Sequence, residues 1–116
     1  MVNKKKIQAF INEVGRKFKP EKILLFGSYA YGKPSHDSDI DILIILPFEG
    51  KNPEKATEIW LATRPDFPVD VMVRKPEEIR QRLELGDPFI HEIIKNGVPL
   101  YESDNQRMDF QSRGGF

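Results

Sequence analysis

Two aspartates, Asp39 and Asp41, stand at the start of an apolar run and are well suited to chemistry. In a strand, residues two apart point to the same face, with Cα atoms roughly 6 to 7 Å apart. The run from Ile40 to Leu46 is apolar on both faces, which predicts a buried, central strand. Two carboxylates at its rim repel each other and lose hydration, which costs free energy unless a cation lies between them. A divalent metal ion is the simplest such cation.

A third carboxylate, Asp70, lies in the alternating segment Val69 to Val73, which has the period of a strand. If that strand lies beside the Asp39 strand, all three carboxylates converge. Oxygen ligands without a nearby His or Cys favour Mg²⁺ or Mn²⁺ over zinc. The alternative is structural: Asp39 and Asp41 then cap a turn or helix, and Asp70 faces water from an edge strand.

A glycine and a serine, Gly27 and Ser28, directly follow the short apolar run Ile23 to Phe26, which predicts another buried strand. A turn at this place offers backbone N–H groups and a hydroxyl to phosphate oxygens. The structural alternative is a tight turn that needs a positive φ at Gly27 and an N-cap at Ser28. The polar stretch 27–38 is long for a hairpin turn, so we expect a short helix and a loop there.

Helical periodicity and cap residues predict the remaining elements. Ile7, Phe10, Ile11, Val14 and Phe18 form one face of a helix that Pro20 stops. Asn52 and Pro53 have the residue types of an N-cap and first helical position, and a helix then continues to Pro65. Further starts at Pro76 and at Asp87–Pro88 predict two more helices, ended by Gly86 and Gly97, and Val98 to Tyr101 is a candidate edge strand.

Composition limits the classes of protein that need consideration. The 116 residues suit one domain, and 39% hydrophobic with 31% charged residues is typical of a globular protein. The formal net charge is zero, so no general basic field favours long nucleic acid. The absence of cysteine excludes disulfides and thiolate sites. No apolar run approaches the ~20 residues that span a bilayer, and the charged start lacks a signal-peptide pattern, so we expect a cytoplasmic protein without membrane contact.

The order of these motifs resembles the nucleotidyltransferase core of the DNA polymerase beta superfamily. The resemblance covers about residues 20 to 101, and its most specific part is the run GSYAYGKPSHDSDIDILI, residues 27 to 44. Length and motif are similar to the minimal nucleotidyltransferases, many of which are antitoxin partners of HEPN-domain toxins. The family's phosphate-contacting pair and three metal-binding carboxylates then correspond to Gly27, Ser28, Asp39, Asp41 and Asp70.

This resemblance implies an α/β (α+β) fold, with a small mixed β-sheet flanked by helices. Residues 1–103 then form one minimal nucleotidyltransferase domain, and 104–116 a flexible C-terminal tail. The implied reaction uses two Mg²⁺ or Mn²⁺ ions and transfers AMP from ATP to a tyrosine of a cognate HEPN toxin. Asp70 is then the group closest to a general base. One position departs from the family pattern, because Tyr31 stands where an arginine is common.

Two other functions remain open at this stage. The chain has no residues left for an acceptor-binding domain of its own, so the acceptor is expected to come from outside. The first alternative is transfer of the nucleotide to a small hydroxylated molecule, and the second is a non-catalytic module that masks its partner. Homo- and hetero-oligomers are both open. Arg74, Lys75, Arg80 and Arg82 gather positive charge after the third strand, a candidate surface for a partner or a nucleotide, although glutamates 77, 78 and 84 dilute it.

Overall fold

The computed structural model describes residues 3–32 and 39–103. The elements are α1 (Lys4–Phe18), β1 (Lys22–Phe26), β2 (Ile40–Ile45), α2 (Asn52–Thr63), β3 (Val69–Arg74), α3 (Pro76–Glu84), α4 (Pro88–Asn96) and β4 (Val98–Glu102). The two longest helices, α1 and α2, lie before the first strand and after the second. Among the described residues, no helix is long and apolar enough to cross a membrane.

The four strands form one mixed sheet in the order β3-β2-β1-β4. β1 pairs with β2 and with β4 in antiparallel fashion, whereas β2 and β3 are parallel and α2 connects them. The expected small mixed sheet flanked by helices is therefore confirmed. β2 lies inside the sheet, as its two apolar faces predicted, while β3 and β4 are the edge strands.

Each face of the sheet carries its own apolar core, because side chains alternate along every strand. On one face, α1 and α2 cover Ile40, Ile42 and Ile44 of β2, together with the valines of β3. The predicted stripe of α1 is buried there, and Asn3 caps that helix by accepting hydrogen bonds from two backbone N–H groups. On the other face, α3 and α4 cover a second cluster formed by Leu24, Leu43, Ile45, Ile79, Ile90 and Ile93.

One local expectation was wrong. The N-cap of α2 is Lys51, and Asn52 is the first helical residue. The Asn52 amide instead donates a hydrogen bond to Glu78 Oε2 at 3.2 Å, so a tertiary partner replaces the local cap. In the stretch 27–38, the described residues 27–32 form a turn and contain no helix; residues 33–38 lie outside the described part of the chain, as does the tail predicted at 104–116.

Candidate active site

Asp41 and Asp70 lie side by side on the two parallel strands. The register of β2 and β3 places their Cα atoms opposite each other, and neighbouring strands are roughly 4.8 Å apart. Asp41 shares its face with Leu43 and Ile45, while Asp70 shares that face with Met72. The prediction that the Asp70 strand lies beside the Asp39 strand is therefore confirmed. Both carboxylates stand at the beginning of their strands, on the face that α3 and α4 cover further along.

This arrangement disfavours the ionised form of the Asp41 carboxyl group. Desolvation by burial raises its pKa, and the negative charges of Asp70 and Asp39 raise it further. Asp39 precedes β2 and is exposed, so its charge acts from the solvent side. A hard divalent cation would relieve this repulsion, and the donors present are carboxylate oxygens, which suit Mg²⁺ or Mn²⁺. The chemistry of the donor set therefore fits such an ion.

The nearness of Asp41 and Asp70 does not by itself form a complete metal site. Within residues 3–32 and 39–103, no group of three or more carboxylate or histidine side chains is arranged to hold one metal ion together. The structure brings Asp41 and Asp70 together and leaves Asp39 on the exposed rim. The convergence of all three carboxylates on metal therefore stays a prediction.

The turn after β1 lies in direct contact with Asp41. Gly27 has φ +77°, and its carbonyl oxygen accepts hydrogen bonds from the N–H groups of Ala30 and Tyr31 at 3.0 and 3.1 Å. A Cβ atom at Gly27 would collide with Oδ2 of Asp41, because β1 and β2 pair Phe26 with Asp41 just before the turn. Ser28 follows in the same turn and is half-buried. The positive φ that the structural alternative expected of Gly27 is present, and the glycine backbone and the carboxylate are immediate neighbours.

The position of the missing family arginine is occupied by an exposed phenol. Tyr31 is 43% exposed, and burial together with the negative charge of Glu92 raises its pKa. The charged group that affects the Tyr31 hydroxyl is thus a carboxylate rather than a cation. At this position the chain supplies no positive charge to a phosphate.

A cleft of about 470 Å³ opens beside the carboxylates. It contains Asp41 and Asp70 at one end and Arg74 at the other, four positions further along β3. Its remaining lining comes from β1, β3, α2 and the start of α4: Phe26, Asn52, Pro53, Ala56, Val71, Met72, Val73 and Phe89. Sequence reasoning singles out Arg74 for its charge but misses Asn52 and Phe89, because no local pattern links residues from such distant segments.

Comparisons with known proteins agree with this fold. The family model described as "Polymerase beta, Nucleotidyltransferase" matches residues 5–106. The chain is 32% identical over 84 residues to a Methanocaldococcus jannaschii protein named "Putative protein adenylyltransferase", and the match covers 72% of this chain and 82% of that protein. The chain belongs to the polymerase beta nucleotidyltransferase family, so the predicted resemblance and the enzyme class, nucleotidyltransferase, are confirmed.

Two solved structures show the same fold. A Sulfolobus solfataricus protein described as "a putative nucleotidyltransferase" superposes with a TM-score of 0.60 at 23% identity, over 84% of this chain and 78% of that chain. A toxin-antitoxin structure with AMP-PNP superposes with a TM-score of 0.56 at 24% identity, over 84% of this chain and 75% of that one.

Proposed function

We propose that this chain is an antitoxin that transfers AMP from ATP to a tyrosine hydroxyl of a separate HEPN toxin. The observation that carries the proposal is the contact between the Gly27 turn and Asp41, with Asp70 directly opposite Asp41 on the parallel strand. The name of the relative from Methanocaldococcus jannaschii and the fold shared with a toxin-antitoxin structure support a protein acceptor. A cytoplasmic location stays a prediction.

Each group of the site has a role in this reaction. The turn at Gly27 and Ser28 binds phosphate oxygens of ATP through backbone N–H groups and the Ser28 hydroxyl. Asp39, Asp41 and Asp70 would hold two divalent ions, which supply charge stabilisation at the α-phosphate and the leaving pyrophosphate. Asp70, the carboxylate furthest from the Gly27 turn across the sheet, accepts the proton of the acceptor hydroxyl.

The transfer is a single displacement at the α-phosphorus of ATP. The tyrosine oxygen forms a bond to the α-phosphorus, the bond from that phosphorus to the pyrophosphate oxygen breaks, and the tyrosine proton passes to the Asp70 carboxylate. Pyrophosphate leaves with the electron pair of the broken bond. Positioning and electrostatic stabilisation dominate such reactions, so the chain needs no covalent intermediate of its own.

Co-expression with the product of the adjacent gene tests the proposal. Intact mass spectrometry of that product should show an added AMP, which disappears with Asp41→Asn and remains with Glu49→Gln, a matched removal of an exposed carboxylate. A tight complex without mass change, equally protective when Asp39 and Asp41 are both replaced, would instead establish a masking module. Transfer of AMP only to a small hydroxylated molecule would establish the other alternative.

A further inference from the structure

The acceptor must approach the site from the β3 side of the sheet. The strand order places the Gly27 turn after β1, Asp41 on β2 and Asp70 on β3, so the three lie in a row across the sheet. In the proposed reaction, the attacking oxygen enters opposite the leaving pyrophosphate. Because the phosphates are held at the Gly27 end of that row, the attacking hydroxyl enters beside Asp70.

The cleft at that place runs along the edge of a strand. Five consecutive residues, Asp70 to Arg74, line it. Side chains alternate between the two faces of a sheet, so a cavity lined by five consecutive residues reaches the strand edge. It also extends over one face of the sheet to Asp41 and Phe26. Asn52 and Pro53 of α2 bound it on one side, and Phe89 on the other.

The edge of β3 presents unpaired backbone groups to this cleft. Pro68 and Arg74 direct their carbonyl oxygens to β2, where they accept hydrogen bonds from the N–H groups of Ile40 and Leu46. By alternation, Val69 and Val71 direct their N–H and C=O groups outward, and both residues are partly exposed. Val73 lies on the same side of the strand but is only 1% exposed. No strand in residues 3–32 or 39–103 pairs with that side, and the Val73 carbonyl is bonded at 2.7 Å by the Arg74 guanidinium.

The two edges of the sheet differ in how they are protected. Proteins commonly block exposed edges with proline, bulges or charge. The β4 edge carries Pro99, which has no N–H, and an irregular register where it meets Ile23 and Leu24 of β1. The β3 segment Val69–Arg74 contains neither a proline nor a register shift. An unblocked edge beside a reactive centre is a place where an extended segment can add as a further strand.

The cleft continues beyond Arg74 into a second cavity of about 250 Å³ that shares Asn52, Arg74 and Phe89 with it. Phe89 is 51% exposed and meets Phe26 edge to face, with ring centroids 5.7 Å apart. Oδ1 of Asn52 is buried without a hydrogen-bond partner among the described residues. This groove therefore offers an aromatic surface for a tyrosine ring. Its far end carries Arg74 and Arg82 together with Glu78 and Asp87, so its formal charges balance.

We infer that an extended segment of the acceptor protein adds to the open edge of β3 as a fifth strand, which brings its tyrosine hydroxyl to Asp70. This inference rests on the proposed function for the identity of the acceptor. Backbone pairing with Val69 and Val71 supplies affinity, and the groove at Phe89 receives the aromatic ring.

A peptide probe tests the pairing independently of catalysis. The peptide acetyl-Thr-Val-Tyr-Val-Thr-amide is titrated into the ¹⁵N-labelled full chain, and amide shifts are followed by NMR. The amides of Val69 and Val71 should shift more than those of Asp70 and Met72, which face β2. Two further peptides carry N-methyl groups on either the odd or the even residues. Only one of these sets of N–H groups can pair with β3, so one peptide should bind like the unmethylated parent and the other about tenfold more weakly. Equal behaviour of both N-methyl peptides, or shifts confined to other residues, overturns the inference.

A variant of this chain tests the same edge with the protein acceptor. Val71→Pro removes an outward N–H, and Val71→Ala removes a comparable amount of packing while it keeps that N–H. Modification of the adjacent-gene product should be about tenfold slower with Val71→Pro than with Val71→Ala. If Val71→Pro does not fold, the N-methyl peptides still decide.

The outcomes separate the two proposals. Peptide pairing at β3 without any AMP transfer would refute the proposed function and leave the strand-addition site. AMP transfer that is equal in both Val71 variants, with no shifts at the β3 edge, would refute strand addition alone. Shifts of the Val69 and Val71 amides that depend on protein concentration without peptide would show that a second copy of this chain occupies the edge, which also overturns the inference.

Discussion

The Asp41 carboxylate is a residue whose chemistry opposes the stability of the metal-free fold. Its burial raises its pKa, as do its neighbours Asp70 and Asp39. In the absence of metal, Asp41→Asn should raise the free energy of unfolding by at most about 0.5 kcal/mol, because it removes one of the repelling charges but solvent screens a carboxylate that is only partly buried. Asp39→Asn should have a smaller effect, since Asp39 is exposed. Thermal melts in EDTA measure both, and a marked fall in Tm for Asp41→Asn would indicate that this carboxylate is a structural cap.

Gly27 combines two restrictions at one position. Its φ of +77° costs an alanine about 1 to 2 kcal/mol, and a Cβ atom would also collide with the Asp41 carboxylate. Gly86 is the matched control, because its φ is +81° but a Cβ atom there would meet nothing within 4 Å in the described part of the chain beyond its own neighbours in sequence. Gly27→Ala should therefore lower the urea midpoint more than Gly86→Ala. Equal losses would mean that the contact with Asp41 has no energetic weight.

At the scale of elements, the Glu78 carboxylate accepts hydrogen bonds both at the beginning of α3 and from α2. Glu78 accepts hydrogen bonds from the Lys75 N–H at 2.8 Å and from the Asn52 amide at 3.2 Å. Partial burial alone raises the Glu78 pKa, but these hydrogen bonds and the nearby cations Arg74 and Lys75 outweigh it, so the net pKa is lowered from 4.5. The ionised form is therefore the one that the fold stabilises.

The lowered Glu78 pKa fixes the sign of a pH dependence. Its contribution to stability is present above pH 4.5 and is lost as pH falls through the lower pKa of the folded state. Glu78→Gln should cost about 1 kcal/mol at pH 7, and the difference from the unmodified chain should shrink below pH 4.5. Glu77→Gln, an exposed neighbour in the same helical turn, is the control. Urea denaturation at several pH values checks it; a constant difference down to about pH 3 would contradict it.

Local patterns predicted the elements better than their junctions. The stripe of α1 and the alternation of β3 are local, so the sequence contained enough information to place them. The cap of α2 was wrong because the Asn52 side chain has a partner, Glu78, on another helix. The place of Asp39 and Asp41 at the start of β2 was predictable from their spacing before an apolar run. The cleft was not, because Phe89 joins it only through the packing of α4 on β1.

For the whole molecule, we expect nucleotide binding to require a divalent ion. Asp41 and Asp70 would repel the negative charges of a triphosphate unless a cation lies between them. Calorimetry should therefore detect ATP binding in Mg²⁺ or Mn²⁺ and a loss of it in EDTA. ATP at a hundredfold excess over its Kd should also stabilise the fold by about 2.7 kcal/mol in the presence of the ion. Equal affinity with and without EDTA would remove the metal from this account.

The parallel pairing of β2 and β3 also bears on where proteases cut the described part of the chain. β3 is an edge strand, joined to β2 through the α2 crossover, and its detachment separates Asp41 from Asp70. Local opening of β3 in the metal-free protein is thus favoured by the relief of repulsion, without global unfolding. Arg74 ends this strand and is half-buried, so trypsin reaches its peptide bond once the strand has left the sheet. Repulsion between Asp41 and Asp70 at one end of β3 should then shorten the proteolytic lifetime of the metal-free protein at the other end of the strand, at Arg74.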